Sequence, residues 1–276
     1  MSIIFADSSC DLPVKFLKAH GVEVINVTLK LNGKKIAYKA DNFNFAEYYL
    51  NGNYNVEIYN LEQTVLTKLT EAINTCQDVF VLTPSKAFSP LYNVASVVKK
   101  QLEQSYKEQK IFVCDTGLIS GGYASVVFET AVLNSTGIRA VELNKKISSF
   151  VKGFETIIIP STTKHEIFKN LSFGGAIGLK PIISLHNGKI ENVGNLKGKL
   201  KLTEEILKRI NHVGLCVADF PICVFNGKSN LADAKKITDA LVENFEAQVW
   251  EGSYSPLLTN IVGDNALIIS YHKRND

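Results

Sequence analysis

Short apolar runs alternate with amphipathic helical stretches over the first half of the chain, and no other feature of the sequence limits the fold as strongly. Predicted strands lie at residues 3–6, 79–83 and 111–115. Helical stretches are predicted at residues 11–20, 63–76, 90–106 and 121–134. Strands and helices that alternate through short loops are typical of a parallel sheet covered on both faces. The first half is therefore predicted to be a three-layer α/β/α domain.

One antiparallel feature is predicted within this half. Residues 22–31 are predicted as a single strand that turns at Asn32-Gly33 into a second strand at 35–38. Asn-Gly supplies the positive φ angles that a two-residue hairpin turn needs.

The second half is predicted to be an α+β domain. A strand at 156–160 and a short helix at 164–170 precede two strands that flank His186-Asn187-Gly188, a second hairpin sequence. A helix capped by Thr203 and a long helix at 230–245 follow. At about 150 residues per domain, 276 residues suggest two domains. We place them at 1–150 and 151–276, which gives a two-domain α/β protein.

Charge and cysteine content exclude several classes of protein. Thirty Lys and Arg against 27 Asp and Glu leave a net charge of +3 without charged blocks, so no nucleic-acid partner and no basic membrane surface is predicted. No apolar run reaches the ~18–20 residues of a membrane span, and the first residues do not form a signal peptide. Five scattered cysteines without a CxxC pair argue against disulfides and a zinc site, which predicts a cytoplasmic protein.

No motif predicts a metal or a cofactor. The five histidines lack metal-site spacing. Gly227-Lys228-Ser229 resembles the end of a phosphate-binding loop, but Ile222 occupies the position that needs the first glycine. No GxSxG elbow supports a hydrolytic triad, although triads can assemble from distant residues.

The segment after the second predicted strand carries the strongest local indication of a site. The strand ends at Thr83, and Ser89-Pro90 begins a helix, with Ser89 as the N-cap and Pro90 at the first helical position. Free backbone N–H groups and a hydroxyl then lie at the carboxyl edge of a parallel sheet, where open sheets bind ligands and helix N-termini bind anions. On local physics alone, a simple capped helix is the favoured interpretation and a ligand site is the alternative.

Four segments, in order along the chain, resemble motifs of the bacterial DegV family. Residues 7–13 (DSSCDLP) are similar to D-S-T-A-D-L-P, and residues 85–95 (SKAFSPLYNVA) to S-S-x-L-S-G-T-Y-x-S-A. Residues 113–122 (VCDTGLISGG) resemble V-x-D-[ST] followed by S-x-G. Residues 173–182 (FGGAIGLKPI) resemble L-G-x-L-L-x-I-K-P-I. The resemblance spans nearly the whole chain.

The resemblance implies a two-domain protein that binds a long-chain fatty acid in a slot between the domains. Some members present the carboxylate to a fatty acid kinase for phosphorylation. By resemblance, Ser89 takes the place of the family serine at the carboxylate, and Ser85 aligns with a second motif serine.

Several positions depart from the family motifs. The T-S-Q-P-S segment finds no hydroxyl match unless Tyr59 substitutes, and the G-G-R-[IV]-S segment is missing. Asn260 stands where the family has histidine, and Lys197 stands where it has arginine. The sequence is thus identified as a diverged member whose fatty-acid ligands are expected to be Ser89, Ser85, Tyr59, Asn260 and Lys197.

The leading hypothesis is a non-enzymatic cytoplasmic protein that binds a fatty acid such as palmitate and needs no cofactor or metal. One alternative is a hydrolase or transferase that uses the same cleft. Another is an interaction protein whose pocket has closed.

Overall fold

The computed structural model describes residues 1–31, 34–37, 56–75, 77–172, 179–197, 202–214, 220–227 and 230–273. Packing divides the chain into two units. The first comprises Met1–Thr116 with Val126–Phe150, and the second comprises Gly117–Ser125 with Val151–Asp276. We keep residues 1–150 and 151–276 as a proposal for the folding domains.

The first unit is built on a parallel sheet. Its strands are β1 (Ile3–Asp7), β2 (Val22–Ile25), β3 (Thr28–Leu31), β4 (Lys34–Ala37), β5 (Val56–Tyr59), β6 (Val79–Thr83) and β7 (Ile111–Asp115). The helices along this part of the chain are α1 (Val14–Ala19), α2 (Leu61–Ile73), α3 (Leu91–Leu102), α4 (Ser120–Ser135) and α5 (Ala140–Gly153). Four strands pair in parallel in the order β2-β1-β6-β7. All five residues of β6 are buried, as expected for a central strand between two parallel neighbours.

Residues 22–31 form two strands rather than the single predicted strand. β2 pairs with β1, whereas β3 lies in a separate antiparallel sheet of order β4-β3-β5. Between them, the Val27 N–H donates to Ser8 Oγ at 3.2 Å, a contact 19 residues away along the chain. This hydrogen bond fixes the position where the chain leaves one sheet for the other. Leu31 pairs with Lys34, and the predicted turn at Asn32-Gly33 lies outside the described residues.

The helix predictions need correction at several positions, and one helix was not predicted. α1 begins at Val14 rather than at residue 11, because Asp11 adopts a positive φ of 57° that ends a short 3-10 turn at Ser8–Cys10. The helix predicted at 164–170 is only a 3-10 turn, Glu166–Phe168. α5 was not predicted at all, although its buried Leu143 and Ile147 have the four-residue spacing of an amphipathic helix.

The second unit contains a mixed sheet. Its strands are β8 (Phe154–Ile159), β9 (Leu179–His186), β10 (Lys189–Lys197), β11 (Ile222–Asn226), β12 (Val249–Ser253) and β13 (Leu267–His272). Its described strands have the order β10-β9-β8-β13-β11-β12, in which the β11–β12 pair is parallel and the other four pairs are antiparallel. Helices α6 (Leu202–Val213), α7 (Leu231–Phe245) and α8 (Pro256–Val262) complete it. The two-domain α/β prediction, with a parallel N-terminal sheet and an α+β C-terminal part, is confirmed.

The hairpin between β9 and β10 is confirmed in detail. Asn187 and Gly188 have φ angles of 50° and 72°, as a two-residue turn between right-twisted strands requires. Farther along the hairpin, the pairing register shifts between Asn192 and Gly194, which produces a bulge at Val193. The carbonyl of Val193 accepts a hydrogen bond from Arg209 Nη2 at 2.8 Å.

Candidate functional site

The strand order of the first unit reverses direction between β1 and β6. From β1 the chain moves outward to β2, and it later returns to the other side of β1 as β6 before moving outward to β7. Right-handed crossovers then send the connections after β1 and β6 to opposite faces of the sheet. The carboxyl ends of two such strands bound a crevice where open α/β sheets bind ligands. This reversal makes the loops after Asp7 and Thr83 the candidate site.

Buried polar side chains concentrate at this edge. Seven of them end a strand or lie in the loop directly after it: Asp7, Ser8, Ser9, Thr83, Ser85, Ser89 and Thr116. A buried polar group without a hydrogen bond is costly, so each of these side chains needs a partner from the protein or from a ligand.

Asp7 anchors the loop after β1. Its Oδ1 accepts hydrogen bonds from the Ser9 N–H at 3.1 Å and from Ser9 Oγ at 2.7 Å. Burial raises the pKa of Asp7 to about 6, although the hydrogen bonds from Ser9 oppose that rise. Asp7 is therefore mostly ionised at pH 7 and becomes protonated on modest acidification.

Thr83 and Thr116 close the edge between β6 and β7. The Thr83 carbonyl accepts the Thr116 N–H at 3.1 Å and Thr116 Oγ1 at 2.8 Å. Beside them, Asp115 accepts the Lys86 N–H at 3.3 Å and faces Lys86 Nζ at 3.9 Å. These contacts hold the loop after β6 against the end of β7.

Ser85 and Ser89 lie together in that loop. The Ser89 N–H donates to the Ser85 carbonyl at 3.1 Å. Ser85 Oγ accepts the Ala87 N–H at 3.4 Å, and Ser89 Oγ accepts the Leu91 N–H at 3.3 Å. Each hydroxyl is buried and acts as an acceptor, and no acceptor for its own proton occurs within the described part of the chain. Two hydroxyl protons are thus available for a ligand.

The capping prediction at Ser89 needs a correction of one residue. α3 begins at Leu91, so Pro90 is the N-cap and Ser89 precedes it. Ser89 Oγ nevertheless accepts the Leu91 N–H, two residues ahead of it, which is the spacing of a capping hydrogen bond. The physical basis of the predicted anion site, a hydroxyl beside free N–H groups, is retained.

The other three predicted ligands belong to other helices and strands. Tyr59 ends β5 in the small antiparallel sheet, where Lys30 Nζ lies 4.7 Å from the centre of its ring. Asn260 is exposed on α8, and Lys197 ends β10, both in the second unit. The structure therefore brings Ser85 and Ser89 together and leaves the roles of Tyr59, Asn260 and Lys197 as predictions.

A cavity of about 680 Å³ lies at the opposite, amino edge of the parallel sheet. Its lining includes Glu23, Lys68 and Glu71 together with the N-terminal residues. This mixed, charged lining does not suit an alkyl chain, so we do not assign the cavity to an acyl ligand.

The described residues contain neither a metal-binding group nor a membrane-spanning helix. Across them, no three or more His, Cys, Asp and Glu side chains are grouped as a metal site requires. In the same stretches, no helix combines the length and apolar content needed to cross a bilayer.

Sequence reasoning named none of five other buried polar residues at this edge as ligands: Asp7, Ser8, Ser9, Thr83 and Thr116. The available signal was the run of polar residues directly after a predicted strand. These polar residues could not be assigned to one site from the sequence, because the strand order that brings β1 beside β6 depends on tertiary packing.

Known proteins resemble this chain over nearly its whole length. A family model described as "Uncharacterised protein, DegV family" matches residues 2–274. A DegV domain-containing protein of Clostridium perfringens is 20% identical over 294 residues, covering 99% of each chain.

Two solved structures share the fold. A stearic acid-binding protein from Eubacterium ventriosum superposes with a TM-score of 0.84 at 16% identity, covering 99% of this chain and 98% of its own. A DegV family protein from Ruminococcus gnavus with vaccenic acid gives a TM-score of 0.83 at 16% identity, covering 97% and 98%. The match of the family model to almost every residue shows that the chain belongs to the DegV family.

Proposed function

We propose that this protein binds a long-chain fatty acid, with the carboxylate at the carboxyl edge of the parallel sheet. The observation that carries the proposal is the pair of buried hydroxyls, Ser85 and Ser89, whose protons have no acceptor among the described residues. They lie where the strand order reverses, beside the N-terminus of α3, and this position favours an anion. The relatives with stearic and vaccenic acid support the same ligand class.

The alkyl tail would supply most of the affinity. A sixteen-carbon acid buries ~14 methylenes at ~0.8 kcal/mol each, about 11 kcal/mol before the costs of ordering. One hydrogen bond to a charged headgroup contributes only about 1.5–3 kcal/mol. Binding can therefore persist in a chain that has lost some of the family's headgroup residues.

The first test is to identify what the protein carries. The protein purified from a bacterial host is extracted with organic solvent, and the extract is analysed by mass spectrometry. We expect about one acyl chain per protein. An enzyme acting on acyl substrates would release its product, and a protein with a closed pocket would yield no lipid; either result contradicts the proposal.

Substitution of Ser89→Ala is expected to weaken palmitate binding by about 1–3 kcal/mol, since it removes a donor to the carboxylate. It also removes the acceptor for the Leu91 N–H, which costs about 1 kcal/mol of stability. Titration calorimetry on delipidated protein measures the first effect, and thermal unfolding measures the second.

Ser255→Ala is the matched control for this test. Ser255 Oγ is buried and accepts the Leu258 N–H at the start of α8, so its loss carries a similar capping cost. We expect Ser255→Ala to lower stability without changing affinity. Equal losses of affinity in the two variants would show that Ser89 acts only on stability.

We further propose that a partner kinase would phosphorylate the bound acid poorly. In that reaction, a carboxylate oxygen attacks the γ-phosphorus of ATP, giving an acyl phosphate and ADP. The reaction requires the acid in one fixed orientation, because misplacement of the attacking atom strongly lowers the rate. Asn260 carries no charge, and Lys197 lacks the planar fork of arginine.

The assay is ATP-dependent acyl-phosphate formation with a purified fatty acid kinase subunit. We expect a low rate relative to a family member that retains the histidine and arginine motifs, and a higher rate for Asn260→His. Equal rates for the two wild-type proteins would show that the missing residues are dispensable. In this proposal the protein is a cytoplasmic carrier that needs no cofactor and is not itself an enzyme.

A further inference from the structure

Ser85 and Ser89, the two serines of the candidate site, belong to one compact turn. The Ser85 carbonyl accepts the N–H groups of Phe88 at 2.8 Å and of Ser89 at 3.1 Å, so the serines lie at the two ends of a hydrogen-bonded turn. Both hydroxyls accept hydrogen bonds from backbone N–H groups of the same segment. A contact that anchors this turn to the sheet therefore fixes the position of both hydroxyls.

Asp115, the last residue of β7, provides such an anchor. Its Oδ1 accepts the N–H of Lys86, the residue after Ser85, at 3.3 Å, and its Oδ2 lies 3.9 Å from Lys86 Nζ. The ion pair contributes little by itself, because the Lys86 side chain is 62% exposed. The hydrogen bond to the Lys86 N–H matters more for the turn, since it holds the main chain rather than a flexible side chain.

Strand pairing fixes the place of Asp115 itself. Asp115 is the register partner of Thr83, the last residue of β6. The next residue, Thr116, donates to the Thr83 carbonyl from its N–H at 3.1 Å and from its Oγ1 at 2.8 Å. Asp115 therefore reaches the turn from a rigid strand end, as a residue that supports a binding loop must.

We propose that Asp115 is a positioning residue for the carboxylate of the fatty acid. Its hydrogen bond to the Lys86 N–H holds the Ser85–Ser89 turn in the conformation in which both hydroxyls can donate to the ligand. The inference rests on the fatty-acid binding proposed above and adds a residue that acts through the turn. A turn that is ordered before binding costs less to order on binding, so loss of the anchor lowers affinity without removing a donor to the carboxylate.

The test compares Asp115→Ala and Asp115→Asn with the wild type by titration of delipidated protein with palmitate. Asparagine keeps an oxygen that can accept the Lys86 N–H, whereas alanine removes the acceptor. We expect Asp115→Ala to bind palmitate about five- to tenfold more weakly. We expect Asp115→Asn to bind within about twofold of the wild type, because only the exposed ion pair is lost. Methyl palmitate, an uncharged ester that accepts weaker hydrogen bonds, should lose less than about threefold in Asp115→Ala.

Asp78→Ala is the matched control. Asp78 directly precedes β6, and its Oδ1 accepts the N–H of Lys110, which directly precedes β7, at 2.8 Å. It thus makes the same kind of contact between the same two strands, at the amino edge of the sheet. We expect Asp78→Ala to lower the melting temperature and to retain wild-type affinity for palmitate.

Three results would overturn the inference. The first is wild-type palmitate affinity in Asp115→Ala. The second is an equal loss in Asp115→Ala and Asp115→Asn, which would assign the effect to charge rather than to the hydrogen bond. The third is an equal loss for palmitate and methyl palmitate, which would assign it to general destabilisation. A wild-type protein that binds no palmitate would instead contradict the proposed function itself.

Discussion

Substitution of Gly227→Ala is expected to destabilise the second unit by about 3 kcal/mol, at the upper end of the usual cost of overpacking. A Cβ at this position would lie 1.8 Å from the Asp264 carbonyl oxygen and 2.6 Å from Tyr254 Oη. The backbone at Asp264 cannot move freely, because Tyr254 Oη donates to the neighbouring Gly263 carbonyl at 2.7 Å. Urea unfolding followed by circular dichroism measures the loss.

Gly194→Ala is the control for steric crowding in the same unit. The nearest atoms to a Cβ there are Arg209 Nη2 and Ile182 Cδ1, both at 3.6 Å, which is ordinary contact. We expect a change below about 1 kcal/mol. Equal destabilisation by the two substitutions would show that the backbone at Asp264 can move away from a Cβ at position 227.

This result would also explain Gly227-Lys228-Ser229, which resembles part of a phosphate-binding loop. Gly227 is needed because two backbone segments approach closely, with its N–H donating to the Ala266 carbonyl at 3.2 Å. A glycine in such a sequence therefore has a packing role without any phosphate.

Substitution of Glu155→Ala is expected to cost about 3–5 kcal/mol, the usual loss when one member of a buried charge network is removed. Glu155 is 5% exposed and accepts hydrogen bonds from Ser184 Oγ at 2.5 Å, Tyr271 Oη at 3.0 Å and Lys273 Nζ at 2.9 Å. Alanine would leave three donors without their acceptor. The exposed pair Arg139–Glu142 provides the control, since Glu142→Ala should leave stability nearly unchanged.

The pH dependence of stability shows how much of the Glu155 contribution comes from its negative charge and how much from its packing and hydrogen bonds. Burial alone would raise the pKa of Glu155, but the hydrogen bonds and charge of Lys273, with the two hydroxyls, hold it below its usual value. A lowered pKa in the folded state contributes stability above the unfolded value of about 4.3, and this is lost as pH falls through the folded pKa. We expect Glu155→Gln to lack this part of the acid destabilisation. An unchanged slope between pH 5 and pH 3 would contradict the assignment.

The sequence predicted those parts of the fold that short-range chemistry determines. β6 and β7 have the predicted bounds because apolar runs end there at polar residues. The Asn187-Gly188 turn forms because those two residues tolerate positive φ. Ser89 Oγ accepts the Leu91 N–H as its neighbours predict, although the helix begins one residue later than predicted.

Features that depend on distant partners could not be predicted in this way. The break between β2 and β3 depends on the bond from the Val27 N–H to Ser8 Oγ. The reversal of strand order between β1 and β6 depends on which strands pair with each other. The hydrophobic pattern of a single strand does not show this. Thr83 and Thr116 belong to the candidate site because the pairing of β6 with β7 brings them together.

The bulge at Val193 has a consequence for how this protein behaves in a crowded solution. Among the described strands, β10 lies at the outer side of its sheet, and an unpaired outer strand can recruit a strand from another molecule. At Val193 the regular spacing of backbone donors and acceptors is interrupted, and Arg209 already occupies the carbonyl there. An incoming strand could not form a continuous ladder past this point, so β10 resists intermolecular sheet growth and aggregation.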